Sequence, residues 1–490
     1  MMHPWVAGNI KPVKKVTERR LPEPVDSGSV AALPSRRVGR VQASLPTHEA
    51  APMNLEEKRL AVTRKLVGEV ADKLGADLSL ELWNGEVLPL GPHARDDIRF
   101  VLRSPEAIRR MLTRPRLMTL FELYAEQEVD IVGGSPLQAA ERWNHSKALA
   151  TGRSFPKMKL LGFATPFLFG RMAKAAPLPS FDGSVPMRYA KGRDDKELIQ
   201  FHYDVSNEFY QLFLDPEMVY SAAYFPSPES SLEDAQQTKL DRICQKLQLK
   251  PGDRLLDIGC GWGGLVCHAA RHYGVTAYGV TLAQRQLEFC RAKIEREGLG
   301  DQVEVELRDY RTIEPSGQFD AVAQIEMFEH VGLKNHDRHF IHMRELMTPD
   351  GRYLHQASVR RALFDMSKFG RETAYMRVIR RYIFPGGEMD HIGMTATNLE
   401  RHGFEIHDIE PMRMHFHLTL KHWVDNLWAN REKASAMVGW ERTRLWLLYL
   451  SMCCISFQRG GINVFQTVAT RRIHGPSILP LRRAEWFQEA

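Results

Sequence analysis

From Leu55 to Leu74 apolar residues recur at helical spacing, and the period then shortens to two over Leu78-Ser79-Leu80-Glu81-Leu82-Trp83 before a turn at Asn84-Gly85. Ile98-Arg99-Phe100-Val101-Leu102 repeats the strand pattern, Ser104-Pro105 opens another helix, and Phe121 to Tyr124 is a further apolar run. Residues 53–144 therefore read as a small α+β domain. Beyond residue 200 the pattern changes to short apolar runs at Arg254 to Ile258, Val275 to Val280, Val303 to Leu307 and Phe319 to Ile325, each closed by glycines or polar residues. Runs of this length without alternation are what strands covered on both faces of a parallel sheet require. The expected fold is α/β, an open Rossmann-like sheet with a smaller α+β domain before it.

The first of these runs carries the strongest local signal. Arg254-Leu255-Leu256-Asp257-Ile258-Gly259-Cys260-Gly261-Trp262-Gly263-Gly264-Leu265 is a buried strand, a glycine turn and the start of a helix that continues through Tyr273. Gly259 and Gly261 let the backbone turn sharply and approach a ligand, and the helix start offers unpaired N–H groups. The next strand ends at Gly279-Val280-Thr281-Leu282, without the acidic residue that a dinucleotide site places there. No Lys-Ser/Thr follows the glycines, which removes the phosphate-cradling loop. The third and fourth strands end in Arg308-Asp309-Tyr310 and Glu326-Met327-Phe328-Glu329-His330. Four such strand ends on one sheet edge make a nucleoside pocket at the switch point of the fold.

With these residues the chain resembles the S-adenosylmethionine-dependent cyclopropane-fatty-acyl-phospholipid synthases, which include the mycolic acid cyclopropane synthases. The resemblance rests on Asp257 to Gly264, Gly279 to Leu282 and Glu326-Met327-Phe328-Glu329-His330-Val331-Gly332. His202-Tyr203-Asp204-Val205-Ser206-Asn207 and Tyr382-Ile383-Phe384-Pro385-Gly386-Gly387 extend it from about Phe201 to about Thr470. It implies a methyltransferase domain over residues 196–475. It also implies that the methyl donor S-adenosylmethionine lies across Tyr220, Ser221, Gly259, Gly261, Thr281, Gln286, Asp309 and Tyr310. The implied reaction places the donor's methyl on the double bond of an unsaturated phospholipid acyl chain and closes a cyclopropane. An alkene is a poor nucleophile, so such a pocket has to be dry, faced with aromatic rings and supplied with a base. In the family that base is a held bicarbonate, and Glu329 and His355 match two holding positions. Cys453 matches a cysteine sometimes assigned to the active site, although its apolar neighbours suit an inert thiol.

Two departures bear on the product. Ala222 in Tyr220-Ser221-Ala222-Ala223-Tyr224 replaces a cysteine of the family, and Phe416 in His415-Phe416-His417-Leu418-Thr419-Leu420 replaces a tyrosine of the bicarbonate site. A methylase that makes a branched unsaturated chain is therefore an open alternative, as is an inactive lipid-binding protein on the same fold. His336, His339 and His342 lack a cysteine or nearby carboxylate to complete a metal site, and are expected on a solvated helix face.

Composition refines the setting. A length of 490 residues with 43% hydrophobic positions supports two domains with real cores, and a net charge of +6 suits contact with anionic surfaces. No basic stripe interleaved with aromatics points to nucleic acid. Six cysteines without a CxxC pair read as thiols of a reducing compartment, so the expected location is cytoplasmic and peripheral at the membrane. Residues 1–52 are a polar tail with basic clusters and no secretory h-region. Residues 145–195 form a linker whose stretch from Lys157 to Lys174 is apolar with basic ends, suited either to the lipid headgroup boundary or to packing the domains together. Residues 476–490 read as a C-terminal tail, and Leu445 to Phe457 as a buried core segment. The small domain suits acyl-chain handling or dimerisation equally, so a homodimer is an additional partner to consider.

Overall fold

A computed structural model describes residues 53–144, 157–168, 205–473 and 475–487. The expected tail 1–52, most of the 145–195 stretch and His202-Tyr203-Asp204 lie outside these residues.

The helix Leu55–Leu74 starts where the Asn54 side chain accepts from the Glu57 N–H and Glu57 answers to the Asn54 N–H, and it ends at Gly75 with φ 56°. That reciprocal cap satisfies two otherwise orphaned donors. Behind it stands a four-stranded sheet in the order β2-β1-β3-β4, with β1 Ser79–Glu81, β2 Val87–Pro89, β3 Arg99–Leu102 and β4 Val129–Val132. β1 and β3 are parallel, and the outer pairs are antiparallel. The helix Lys157–Leu168 turns Phe163 and Phe167 inward, and the Arg59 Nε donates to the Pro166 carbonyl at 3.1 Å. In this described part the two phenyl rings are buried, as the packing alternative for this stretch requires.

The large sheet has seven strands in the order β10-β11-β9-β8-β5-β6-β7. β5 Arg254–Ile258, β6 Thr276–Thr281, β7 Val303–Leu307, β8 Phe319–Ile325 and the first part of β9 Met347–Arg360 run parallel. β10 Phe404–Pro411 pairs antiparallel with β11 Ile462–Arg471, which pairs antiparallel with β9. Alternate residues feed two cores. Leu255, Ala321, Ala323 and Leu354 face one layer of helices, while Leu256, Val322 and Tyr353 face the other. The order reverses at β5, between β8 and β6, so the crevice opens beyond its C-terminal end.

The helices Arg413–Ala429 and Trp440–Gln458 pack on one another and carry Trp423, Leu447 and Leu450 into one apolar cluster with Phe209, Tyr210 and Phe213. Leu445 to Phe457 is thus part of a core helix, as its composition required. Arg444 ties the small sheet to this helix pair, its Nε donating to the Tyr124 carbonyl at 2.6 Å and its Nη1 meeting Asp130 at 3.0 Å. The C-terminal stretch is not a free tail in its described part. Leu479 and Trp486 are buried, and the Gln248 Nε2 donates to the Trp486 carbonyl at 3.1 Å. Among the described residues no helix is long and apolar enough to cross a membrane.

Candidate active site

The turn after β5 is built from three glycines in the left-handed region, Gly259 at φ 79°, Gly261 at 56° and Gly263 at 83°. The Gly259 and Cys260 N–H groups both donate to the Val280 carbonyl, at 3.0 and 3.1 Å, which pins the turn to β6. A Cβ on Gly259 would stand 3.0 Å from Met327, whereas one on Gly261 would meet nothing within 4 Å. That open space belongs to a cavity of about 1120 Å³, counted with its solvent-open mouth, and Tyr220, Ser221, Gly259, Gly261, Thr281, Gln286, Asp309 and Tyr310 all line it. All eight donor-binding residues expected from the sequence thus converge. The Thr281 hydroxyl donates to the Gln286 Oε1 at 2.7 Å. Burial works against the charge of Asp309, but hydrogen bonds from Arg311, one of them at 2.5 Å, outweigh it and hold the carboxyl below its ordinary range.

The floor of this cavity carries charges that sequence reading passed over. The Lys239 Nζ donates to the Ser221 hydroxyl at 3.0 Å. Burial pulls Lys239 down to about 8 against the attraction of Glu326, Asp215 and Asp257, and burial pushes Asp257 up to about 7 against the pull of Lys239. Lys239 lies among Ala235, Gln236, Leu240 and Ile243 on the buried face of the helix Leu232–Lys246, a placement that helical periodicity would have revealed. An acidic floor under a glycine turn suits a cationic nucleoside. The residues present fit S-adenosylmethionine, with space at Gly261, acceptors at Asp309 and Thr281, and carboxyls below.

A second cavity of about 950 Å³, again open on one side, adjoins the first. Its wall is aromatic, with Tyr375, Phe416, Trp423, Tyr449 and Phe457. The two cavities share Tyr220 and Glu326. Tyr220 stacks on Trp423 with ring centres 5.1 Å apart and an interplanar angle of 27°. Glu329 lines the second cavity, its Oε1 accepting from the Ser358 N–H at 2.6 Å, while its buried Oε2 has no hydrogen-bond partner among the described residues. Burial raises its carboxyl. Cys453 also lines this wall, with its Sγ 3.1 Å from the Tyr375 hydroxyl, and burial pushes the thiol up to about 11. A thiol so placed is apolar lining, not a nucleophile.

His355 is not part of either cavity wall. On β9 it follows the alternation of Tyr353 and turns to the layer of Phe328 and Phe340, with ring centres 4.6 and 5.8 Å away and its Nδ1 3.2 Å from the Tyr353 hydroxyl. Burial lowers it to about 3, so it is a neutral core histidine. The helix His336–Leu346 corrects a second expectation, because His336 and His339 are buried. The His339 Nε2 lies 2.8 Å from the Gln324 Oε1 and its Nδ1 3.0 Å from the Tyr310 hydroxyl, while the His342 Nε2 lies 3.0 Å from the Tyr310 carbonyl. These histidines brace the donor cavity from behind.

The residues present offer a held bicarbonate fewer polar partners than the resemblance implies, because Ala222 and Phe416 supply none. Glu329 lines the second cavity and His355 lines neither, while the Glu329 Oε2 and the His355 Nε2 are both buried without a hydrogen-bond partner among the described residues. Position 222 offers a methyl, and position 416 a phenyl packed 4.5 Å from Phe457. The Ala222 N–H is already engaged by the Glu326 carboxyl at 2.9 Å. Glu326, which the sequence placed in a motif without a role, lines both cavities.

The model of the mycolic acid cyclopropane synthetase family matches residues 190–467. A probable fatty acid methyltransferase of Pseudomonas putida is 34% identical over 84% of this chain and 96% of its own length. The cyclopropane-fatty-acyl-phospholipid synthase of Escherichia coli K12 is 34% identical over 56% of this chain and 67% of its own. Among solved structures, the cyclopropane synthase MmaA2 of Mycobacterium tuberculosis covers 56% of this chain and 98% of its own, at 30% identity and a TM-score of 0.53. Mycolic acid cyclopropane synthase CmaA1, complexed with SAH and CTAB, aligns with the same coverage, identity and TM-score. With the family model matching more than half of the chain and a relative 34% identical over most of its own length, the chain belongs to the mycolic acid cyclopropane synthetase family.

Proposed function

We propose that this enzyme, an S-adenosylmethionine-dependent methyltransferase that modifies lipid acyl chains, acts on the double bond of an unsaturated phospholipid chain and forms a cyclopropane. One observation carries the reading: a polar cavity at the strand ends and an aromatic cavity beside it share Tyr220 and Glu326. The donor supplies a sulfonium methyl electrophilic enough for an alkene. Tyr220, Trp423 and Tyr375 line the cavity of a chain that becomes positively charged, and the apolar lining keeps water from capturing it. Ala222 and Phe416, which remove a thiol and a hydroxyl, favour a second reading in which a neighbouring chain carbon loses the proton and a methyl-branched alkene results. Incubation with unsaturated phospholipid vesicles and methyl-labelled donor tests the function. The expected label is in the acyl chain, and donor binding without label in any lipid would support an inactive lipid-binding protein instead.

The surface beside the second cavity supports a phospholipid source. Two residues beyond Ser358, which lines that cavity, the chain enters a loop where Leu363, Phe364 and Met366 are exposed with Arg361, Lys368 and Arg371 around them. It returns through the helix Ala374–Tyr382, whose Tyr375 and Met376 line the cavity. Apolar side chains among basic ones are the composition that seats a protein on anionic lipid. Burying one phenyl side chain contributes about 1.5–3 kcal/mol, so Phe364→Ser is expected to weaken binding to anionic vesicles by roughly tenfold or more. Vesicle sedimentation measures this, and equal binding by both proteins would remove the loop from the docking surface.

A further inference from the structure

We propose that the Glu326 carboxylate is the catalytic base of this enzyme and takes a proton from the transferred methyl group as the ring closes. The inference rests on the acyl-chain reading above.

Glu326 follows the last residue of β8 and adopts φ 51°, a left-handed conformation that non-glycine residues avoid. Strain kept at a site is a reason to look for function there. The turn carries the side chain to the boundary of the donor and acyl cavities, whose walls both include it. Its Oε1 accepts two hydrogen bonds, from the Ala222 N–H at 2.9 Å and from the Gln356 Nε2 at 2.6 Å. No hydrogen bond engages Oε2 among the described residues, nor is that atom among the buried, unpartnered ones. It therefore faces open cavity. Burial first, and the neighbouring Glu329 second, push the carboxyl up to about 7, which leaves a base that holds a proton readily near neutrality.

Location selects the proton. Glu329 lines the acyl cavity without reaching the donor cavity, whereas Glu326 stands where the methyl crosses from one to the other. The alkene electron pair forms a bond to the methyl carbon as the sulfur–carbon bond breaks, leaving a cation on the second alkene carbon and a neutral thioether. Oε2 then takes one methyl proton, and the C–H electron pair closes the bond to the cationic carbon. The products are a cyclopropane, a thioether and a carboxylic acid that releases its proton once the product has left. No oxidant, reductant or added ion is required.

The test uses the full chain, unsaturated phospholipid vesicles and donor carrying a trideuterated methyl. Glu326→Gln keeps the Oε1 acceptor for both hydrogen bonds and removes the base at Oε2. The expected kcat falls about a hundredfold or more, while donor affinity by calorimetry stays within about twofold because the ground-state contacts persist. Wild type is expected to give a ring with two deuterium atoms, at a rate unchanged by removing or adding bicarbonate. A Glu326→Gln enzyme with wild-type kcat, or a wild-type rate that requires bicarbonate, would overturn the assignment while leaving the acyl-chain function intact. A branched alkene retaining three deuterium atoms would overturn it by showing that the methyl gives up no proton. Wild type that labels no lipid would overturn the function and this inference together.

Discussion

Gly261→Val is expected to abolish donor binding while the protein remains folded. The residue sits at φ 56°, and its missing Cβ would point into open cavity, with no protein atom within 4 Å. A valine therefore takes volume from the ligand and not from the core. It also strains the turn, since a left-handed conformation costs an L residue roughly 1–2 kcal/mol. Gly261→Ala separates the two effects, because alanine carries most of the backbone strain with a fraction of the bulk. Calorimetry should show a modest loss for alanine and a loss of about a hundredfold or more, about 2.7 kcal/mol, for valine. Undiminished affinity in Gly261→Val would remove the glycine turn from the donor site. Gly259→Val is a poorer probe, because its Cβ would press on Met327 and move the β8 turn as well.

The strand ends were legible because parallel strands buried on both faces have no alternative composition. Leu255, Leu256, Ile258, Ala321, Val322 and Ala323 are all buried, and the polar residues that follow such runs mark the crevice. The helix Leu55–Leu74 was legible for a local reason, namely Asn54 with Glu57 at one end and Gly75 at the other. What the pattern obscured was polar residues whose burial is decided by distant partners. His339 looks solvated in sequence, and it is buried because Gln324 on β8 and Tyr310 after β7 meet both ring nitrogens. Trp486 looks like tail, and it is buried in one cluster with Leu247 and Leu249, where Gln248, far away in the chain, donates to its carbonyl.

His355 teaches a narrower lesson. The resemblance carried it to the site by motif position, yet the period of two along β9 sets it beside Tyr353 and Ala357 and opposite Leu354. Glu326 could not have been separated from Glu329 by sequence, since both lie in one short run after β8. The difference is the left-handed turn at Glu326, which directs one carboxyl to the cavity boundary and leaves the other to the Ser358 N–H. The functional difference between two identical side chains three residues apart is thus a backbone property.

Replacing Tyr220 with leucine is expected to lower kcat more than it lowers donor affinity. Tyr220 is the aromatic residue common to both cavities, and its stack on Trp423 fixes the ring at their junction. Positive charge passes from the donor to the acyl chain at that junction, so the ring face acts where the charge develops. A desolvated cation–π contact contributes about 2 kcal/mol, which corresponds to roughly thirtyfold in rate. Leucine fills similar space without a π-face, and Tyr220→Phe restores the face without the hydroxyl. The phenylalanine enzyme should therefore recover most of the lost rate. Steady-state kinetics on vesicles, with donor affinity measured separately, distinguishes this from simple misplacement of the donor. A leucine enzyme with undiminished kcat would mean that the charge is stabilised elsewhere on the wall. The same kcat loss in phenylalanine and leucine enzymes would assign the effect to the hydroxyl.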